Sequence, residues 1–204
     1  MFNFQNLACL SIFILTISGC TNNPDNSNPS TTFSPSLSAT ETSEKQNQNQ
    51  TAKSNLALSN DGIMTVNAQT GSTRNFTFDS DLAITKNVVT AILGQPKETS
   101  ENAECPAGKL TTITWPNGFA INAAENKFVG WSVRPQTESA KLTTMSNIGI
   151  GSTVKDLQAA YNIKVFDSSL GVEFNVGQMS GLLSKNAPDG VITELWGGTN
   201  CIFR

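Results

Sequence analysis

Three regimes of hydrophobic and polar patterning follow one another along the chain. From Leu7 to Ile17 (LACLSIFILTI) nearly every position is apolar, a run shorter than the roughly 20 residues a membrane-spanning helix needs. From Thr21 to about Asn55 almost nothing is apolar: Asn, Ser, Thr, Gln and Pro dominate. Ordering such a segment costs backbone entropy with nothing to bury in return. From Leu56 onward apolar positions recur with two alternating periods, and this is the part that can fold.

Ile63–Asn67 and Thr73–Phe78 read as a hairpin turning at Gly71, with Phe76 and Phe78 on one face of the second arm. Leu82–Gly94 carries Ile84, Val88, Val89, Ile92 and Leu93 at helical spacing, with Thr85 available to cap its start and Gly94 and Pro96 to end it. The period then falls to two. Leu110–Trp115, the turn Pro116-Asn117-Gly118 and Phe119–Asn122 predict a second hairpin. Lys127–Val133 follows as a strand with Val129, Trp131 and Val133 on one face. The sequence then repeats itself in outline. Thr153–Tyr161 predicts a helix with Val154, Leu157, Ala160 and Tyr161 inward, and Leu170–Val176 a strand with Glu173 and Asn175 outward. Gln178–Leu183 and Val191–Trp196 are strands about the turn Asn186–Gly190, and Cys201–Arg204 reads as a short final strand.

Helix followed by antiparallel hairpins, twice over, predicts an α+β class: two tandem helix-plus-antiparallel-sheet repeats forming one compact domain over residues 56–204. The repeats run from about 62 to 135 and from about 142 to 204. Gly94 to Trp131 spans 37 residues and Asn162 to Trp196 spans 34, consistent with a duplication.

Composition narrows the function. The net charge is −3 and charged residues make up only 14% of the chain, so there is no electrostatic footprint for nucleic acid. There is no histidine. That removes the commonest general base and zinc ligand, and with them any Ser-His or Cys-His dyad. Neither a metal nor another cofactor is expected.

The apolar run ends in Ile17-Ser18-Gly19-Cys20, which resembles the lipobox of bacterial lipoproteins, although Met1–Asn6 lacks the usual Lys or Arg. The resemblance implies cleavage after residue 19 and lipid attachment at Cys20, leaving a tether over residues 20–55. A coil of that length spans roughly 30–35 Å. Thr21 in place of Asp implies, by the lipoprotein sorting rule, the periplasmic face of the outer membrane if the cell has two membranes. Export favours pairing the two remaining cysteines, Cys105 and Cys201. Their bridge would close a loop of nearly a hundred residues, for which loop entropy gives about 4–5 kcal/mol. A redox role would want a CxxC spacing, and a metal role would want His ligands; neither is present.

Two patterns suggest chemistry. Ser152-x-x-Lys155 has the helical spacing of an acylating Ser-Lys pair, but no Ser-Asp-Asn or Lys-Thr-Gly element accompanies it. The stronger reading makes Ser152 or Thr153 an N-cap and Thr153-x-x-Asp156 a capping box. Gly149-x-Gly151 precedes a helix without a third Gly or a Gly-Lys-Ser/Thr, so it reads as a joint. For binding, the candidates are Trp131, Arg134, Glu173, Glu194 and Trp196, which fall on strands as aromatic platforms or outward polar groups. Glu173 and Glu194 are also the carboxylates a hydrolase would use.

Asn60-Asp61-Gly62, Leu93-Gly-Gln-Pro96, the isolated Cys105, Phe128-Val-Gly-Trp131, Leu142-Thr-Thr144 and Ile148-Gly-Ile-Gly-Ser-Thr153 resemble an uncharacterised family of secreted bacterial proteins. So do Ala160-Tyr161, Ser180-Gly-Leu-Leu-Ser184, Leu195-Trp-Gly-Gly-Thr-Asn-Cys201 and Phe203-Arg204. Its paired cysteines agree with the bridge above, and it implies no activity. More distantly, the architecture resembles the tandem modules of β-lactamase inhibitory protein and of small outer-membrane assembly lipoproteins, which are binding proteins. The expectation is a membrane-tethered lipoprotein that binds or scaffolds an envelope protein or polymer without catalysis. The alternative is an envelope hydrolase using carboxylates or the Ser152–Lys155 pair.

Overall fold

The computed structural model describes residues 53–135 and 142–203. The expected signal run, the expected lipid-attachment residue Cys20 and most of the expected tether lie outside the described residues. Three strands come first, β1 (Ser54–Ser59), β2 (Gly62–Asn67) and β3 (Thr73–Thr77), followed by helix α1 (Leu82–Leu93). A meander of β4 (Glu98–Asn102), β5 (Leu110–Thr114), β6 (Phe119–Ala124) and β7 (Lys127–Val133) leads to α2 (Val154–Ala160). The second meander is β8 (Lys164–Ser168), β9 (Gly171–Val176), β10 (Met179–Leu183) and β11 (Ile192–Gly198).

These strands make two antiparallel sheets, one of order β1-β2-β3 and one of order β4-β5-β6-β7-β11-β10-β9-β8. The protein is therefore mostly β, and the expected α+β class built of helix-plus-sheet repeats is not what forms. Two physical reasons account for the difference. The helices are short, 12 and 7 residues. The meanders do not stay separate either: β7 pairs antiparallel with β11, Leu195 opposite Val133 and Gly197 opposite Trp131, so one continuous sheet runs through both.

One hydrophobic cluster holds the fold. It joins Leu58, Ile63 and Phe76 of the small sheet, Val89 of α1 and Val154 and Leu157 of α2 to one face of the large sheet, where Ile113, Ile121, Trp131, Phe174 and Leu195 sit. Polar ties lock the small sheet down. The Trp131 indole donates to Ser59 O at 3.1 Å, and Asn60 Oδ1 accepts from the amides of Gln178 and Met179 at 2.7 and 2.9 Å. Gly197 is required where it stands: a Cβ there would lie 2.6 Å from the Trp131 ring across the strand pair. Its missing side chain is the space the indole fills.

Local expectations fare unevenly. Asp81, not Thr85, caps α1, its side chain accepting from Ile84 N at 3.0 Å; Thr85 is buried in the first turn and donates to Asp81 O at 2.9 Å. Ile84 is 51% exposed, so the inward stripe starts at Thr85 and Val89. In β7 a register shift beside Asn122 and Ala123 pairs Gly130 with Asn122 and Phe128 with Ala123, leaving Val129 over. A bulge of this kind exchanges the faces of the residues beyond it, which is why Phe128 is fully buried and Val129 only half-buried. Residues Cys201–Phe203 form no strand but an irregular segment.

Candidate functional site

The eight-stranded sheet has two faces, and its core face is fully committed. On the other face, ladder pairing sets one residue per strand into a line at right angles to the strands. In order it runs Glu98, Thr114, Ala120, Ser132, Trp196, Ser180, Asn175 and Lys164. A second line runs Ser100, Thr112, Asn122, Gly130 and Gly198. A third carries Glu194, Leu182, Glu173 and Phe166. Strand alternation alone explains this: each inward Ile, Trp or Phe has an outward Ser, Thr or Asn beside it in the chain.

A groove of about 680 Å³ opens on this face, lined among others by Thr112, Thr114, Ser132, Arg134, Glu194 and Trp196. Its wall is the C-terminal segment, which the sheet holds from below. The buried Asn122 donates through Nδ2 to Thr199 O at 3.2 Å and to Asn200 Oδ1 at 2.7 Å, and receives the Thr112 hydroxyl on Oδ1 at 2.8 Å. A side chain at Gly130 would strike Thr199 O at 2.0 Å, so glycine there is what lets the segment lie flat on the sheet. Leu110, Cys105 and Trp196 are buried without belonging to the main core cluster, and of the three Trp196 lines the groove. Asn200 to Phe203 complete the lining, with Phe203 60% exposed.

Arg134, Glu194 and Trp196 thus come together, while the other two binding candidates go elsewhere. Arg134 Nε lies 3.7 Å from Glu194 Oε2, an exposed pair worth little to stability. Trp196, at 7% exposure, forms part of the groove lining. Trp131 does not reach this surface: it is fully buried in the core one register step away, on the opposite face. Glu173 stands on the groove side of β9 but is also fully buried, and it is not among the groove-lining residues. Leu182 separates it from Glu194 in the ladder, so the two carboxylates do not face each other across the groove.

The Ser152 hydroxyl is occupied locally. It accepts from Gly149 N at 3.1 Å and lies 3.5 Å from Asn147 O. Thr153 forms a full capping box: its Oγ1 accepts from Asp156 N at 3.1 Å, and Asp156 Oδ2 accepts from Thr153 N at 3.2 Å. The Thr153 hydroxyl also donates to Asp156 Oδ2 at 2.7 Å, and this bond, together with the one from Thr153 N, holds the Asp156 carboxyl below its ordinary range.

Cys105 and Cys201 meet at the groove wall as free thiols in hydrogen-bond contact. Asn102 Nδ2 donates to Cys201 Sγ at 3.2 Å. Burial, and then the hydrogen bond with Cys105, push the Cys201 thiol up to about 11. Among the described residues no group of acidic or cysteine side chains could hold a metal ion, and no helix is long and apolar enough to cross a membrane.

Polar groove residues such as Thr112, Thr114, Asn122 and Ser132 escaped the sequence reading. The signal that could have found them is the polar half of the alternation in Leu110–Thr114 and Phe119–Ala124. Compared with known proteins, the chain matches no family model, no curated protein and no solved structure. The groove itself must therefore carry the functional argument.

Proposed function

We propose that this protein is a membrane-tethered lipoprotein of the bacterial cell envelope that binds an envelope component in the groove of its large sheet. The observation that carries the reading is the groove: a concavity of about 680 Å³ lined by apolar and polar side chains, over a sheet whose other face is spent on packing. Pockets that combine an apolar floor with a few convergent polar groups are the usual form of a binding site. The tether supports the same reading. Lipid at Cys20 followed by a polar coil places the groove within reach of the envelope layers beyond the membrane surface.

The test is site-specific photo-cross-linking of the full chain in intact cells. A photoreactive residue at Ser132, inside the groove, is expected to capture an envelope component, whereas one at Arg74, on the exposed side of the small sheet, captures none. Equal labelling from both positions, or none from Ser132, contradicts the reading. The anchor is tested separately: Cys20→Ala is expected to release the protein from membranes, and persistent membrane association would count against lipid attachment.

A further inference from the structure

We infer that the groove takes a neutral, hydroxyl-rich polymer, a glycan strand laid across the sheet; this rests on the groove being the binding surface. Register supplies the first argument. Thr114, Ala120, Ser132 and Trp196, all lining the groove, lie in one line across four neighbouring strands. Adjacent strands sit about 4.8 Å apart, close to the length of one hexose ring in an extended β-linked chain. A glycan crossing the strands therefore meets one side chain per ring.

Chemistry supplies the second argument. The hydroxyls of Ser100, Thr114 and Ser132 have no hydrogen-bond partner among the described residues. Each such hydroxyl both donates and accepts, which is what a sugar hydroxyl requires. Trp196 stands between Ser132 and Ser180 in the line; at 7% exposure it is largely covered and gives the groove a narrow apolar strip beside the hydroxyls.

Charge and backbone exclude the main competitors. Among the described residues, the charged side chains lining the groove are Arg134 and Glu194, and they face each other at 3.7 Å. The described lining thus carries balanced charge and offers little to attract a polyanion. An extended peptide binds most simply by adding to a sheet edge, where backbone groups are open. The groove lies mainly on the face of the sheet over β5, β6, β7 and β11, whose backbone groups are already used in the ladders on both sides, while its rim at Ser100 and Asn102 belongs to the edge strand β4.

The experiment uses the full chain in detergent, titrated calorimetrically with a cello-oligosaccharide, a chito-oligosaccharide, a polyuronate and a strand-forming peptide. Saturable binding of at least one neutral oligosaccharide is expected, with none of the polyuronate or the peptide. Ser132→Val and, independently, Thr114→Val should each weaken that binding about tenfold, as the loss of a matched buried hydrogen bond does, with unchanged thermal unfolding confirming that both variants fold. No binding of either neutral oligosaccharide, stronger binding of the polyuronate or peptide, or affinity untouched by both variants overturns the inference. Cross-linking from Ser132 separates the two levels. A protein captured there without any glycan binding sinks the glycan and leaves the binding groove standing; nothing captured there sinks both.

Discussion

Trp131 and Trp196 sit on neighbouring strands, one register step apart, and meet opposite fates. Trp131 faces the core, donates its indole proton to Ser59 O and packs over Gly197. Trp196 faces the groove beside Ser132 and Ser180, outside the main hydrophobic cluster. Two residues of the same type, both buried, therefore do different work because strand alternation sends them to different faces. One face of the sheet holds the small sheet and the helices in place. The other is held by its own ladders and the C-terminal segment, and the hydroxyls of Ser100, Thr114 and Ser132 on it have no hydrogen-bond partner among the described residues.

The sharpest way to break this division is to remove the core indole. Trp131→Ala is expected to cost about 3–5 kcal/mol in denaturant unfolding, the usual loss for a large aromatic in a packed core. It should also free the turn at Ser59 and Asn60. A loss below about 1 kcal/mol, the range of peripheral substitutions, would show that the two faces are not divided as described.

Next in size is the cysteine pair at the groove wall. Oxidation is expected to join Cys105 to Cys201 and raise stability by about 2–4 kcal/mol over the reduced protein, seen as a higher unfolding midpoint and a mass two protons lower. The reduced form should carry a signature in alkali. Unfolded, the Cys201 thiol titrates near 9.0; folded, it holds its proton to about 11. Its contribution to stability is thus complete below pH 9.0 and is lost as the pH rises toward 11. Oxidation should abolish that part of the pH dependence; a reduced protein equally stable at both ends of the window would contradict the contact.

Gly197→Ala tests the seam between the faces. Its added methyl meets the Trp131 ring at 2.6 Å, so about 1–3 kcal/mol of overpacking is expected, read as a lower melting temperature. The groove residues next to it should keep their affinity once the variant is folded. If Gly197→Ala is neutral, the indole is not confined as the packing implies.

Much of the chain was legible because burial writes a period into it. Gly171–Val176 alternates Val172, Phe174 and Val176 with Glu173 and Asn175, Phe119 and Ile121 mark a strand beside the Pro116-Asn117-Gly118 turn, and both helices carry an apolar stripe. What was missed has a common cause. Strand β4 (ETSEN) is exposed at every position, and β8 (KVFDS) is the other outermost strand of the large sheet. Edge strands are held by backbone hydrogen bonds and kept polar against aggregation, so they leave no hydrophobic signature. The fusion of the meanders through β7 and β11 was illegible for a similar reason. Pairing between strands about 65 residues apart in the sequence leaves no local mark. At the groove, Arg134, Glu194 and Trp196 were singled out as charges and aromatics, whereas Thr114 and Ser132 were passed over as ordinary outward residues. Only the ladder register shows that they stand in one line.

The most direct test of the division between a packing face and a binding face is to observe the three indole N–H resonances of the nitrogen-15-labelled full chain during titration with solubilised envelope polysaccharide. Trp115 and Trp131 donate to Gly94 O and Ser59 O on the packed side, whereas Trp196 lies in the groove. The account predicts that the Trp196 signal alone moves, saturably, and that in Ser132→Val the same shift needs about tenfold more polysaccharide. Movement of the Trp131 or Trp115 signal with Trp196 unchanged would contradict it.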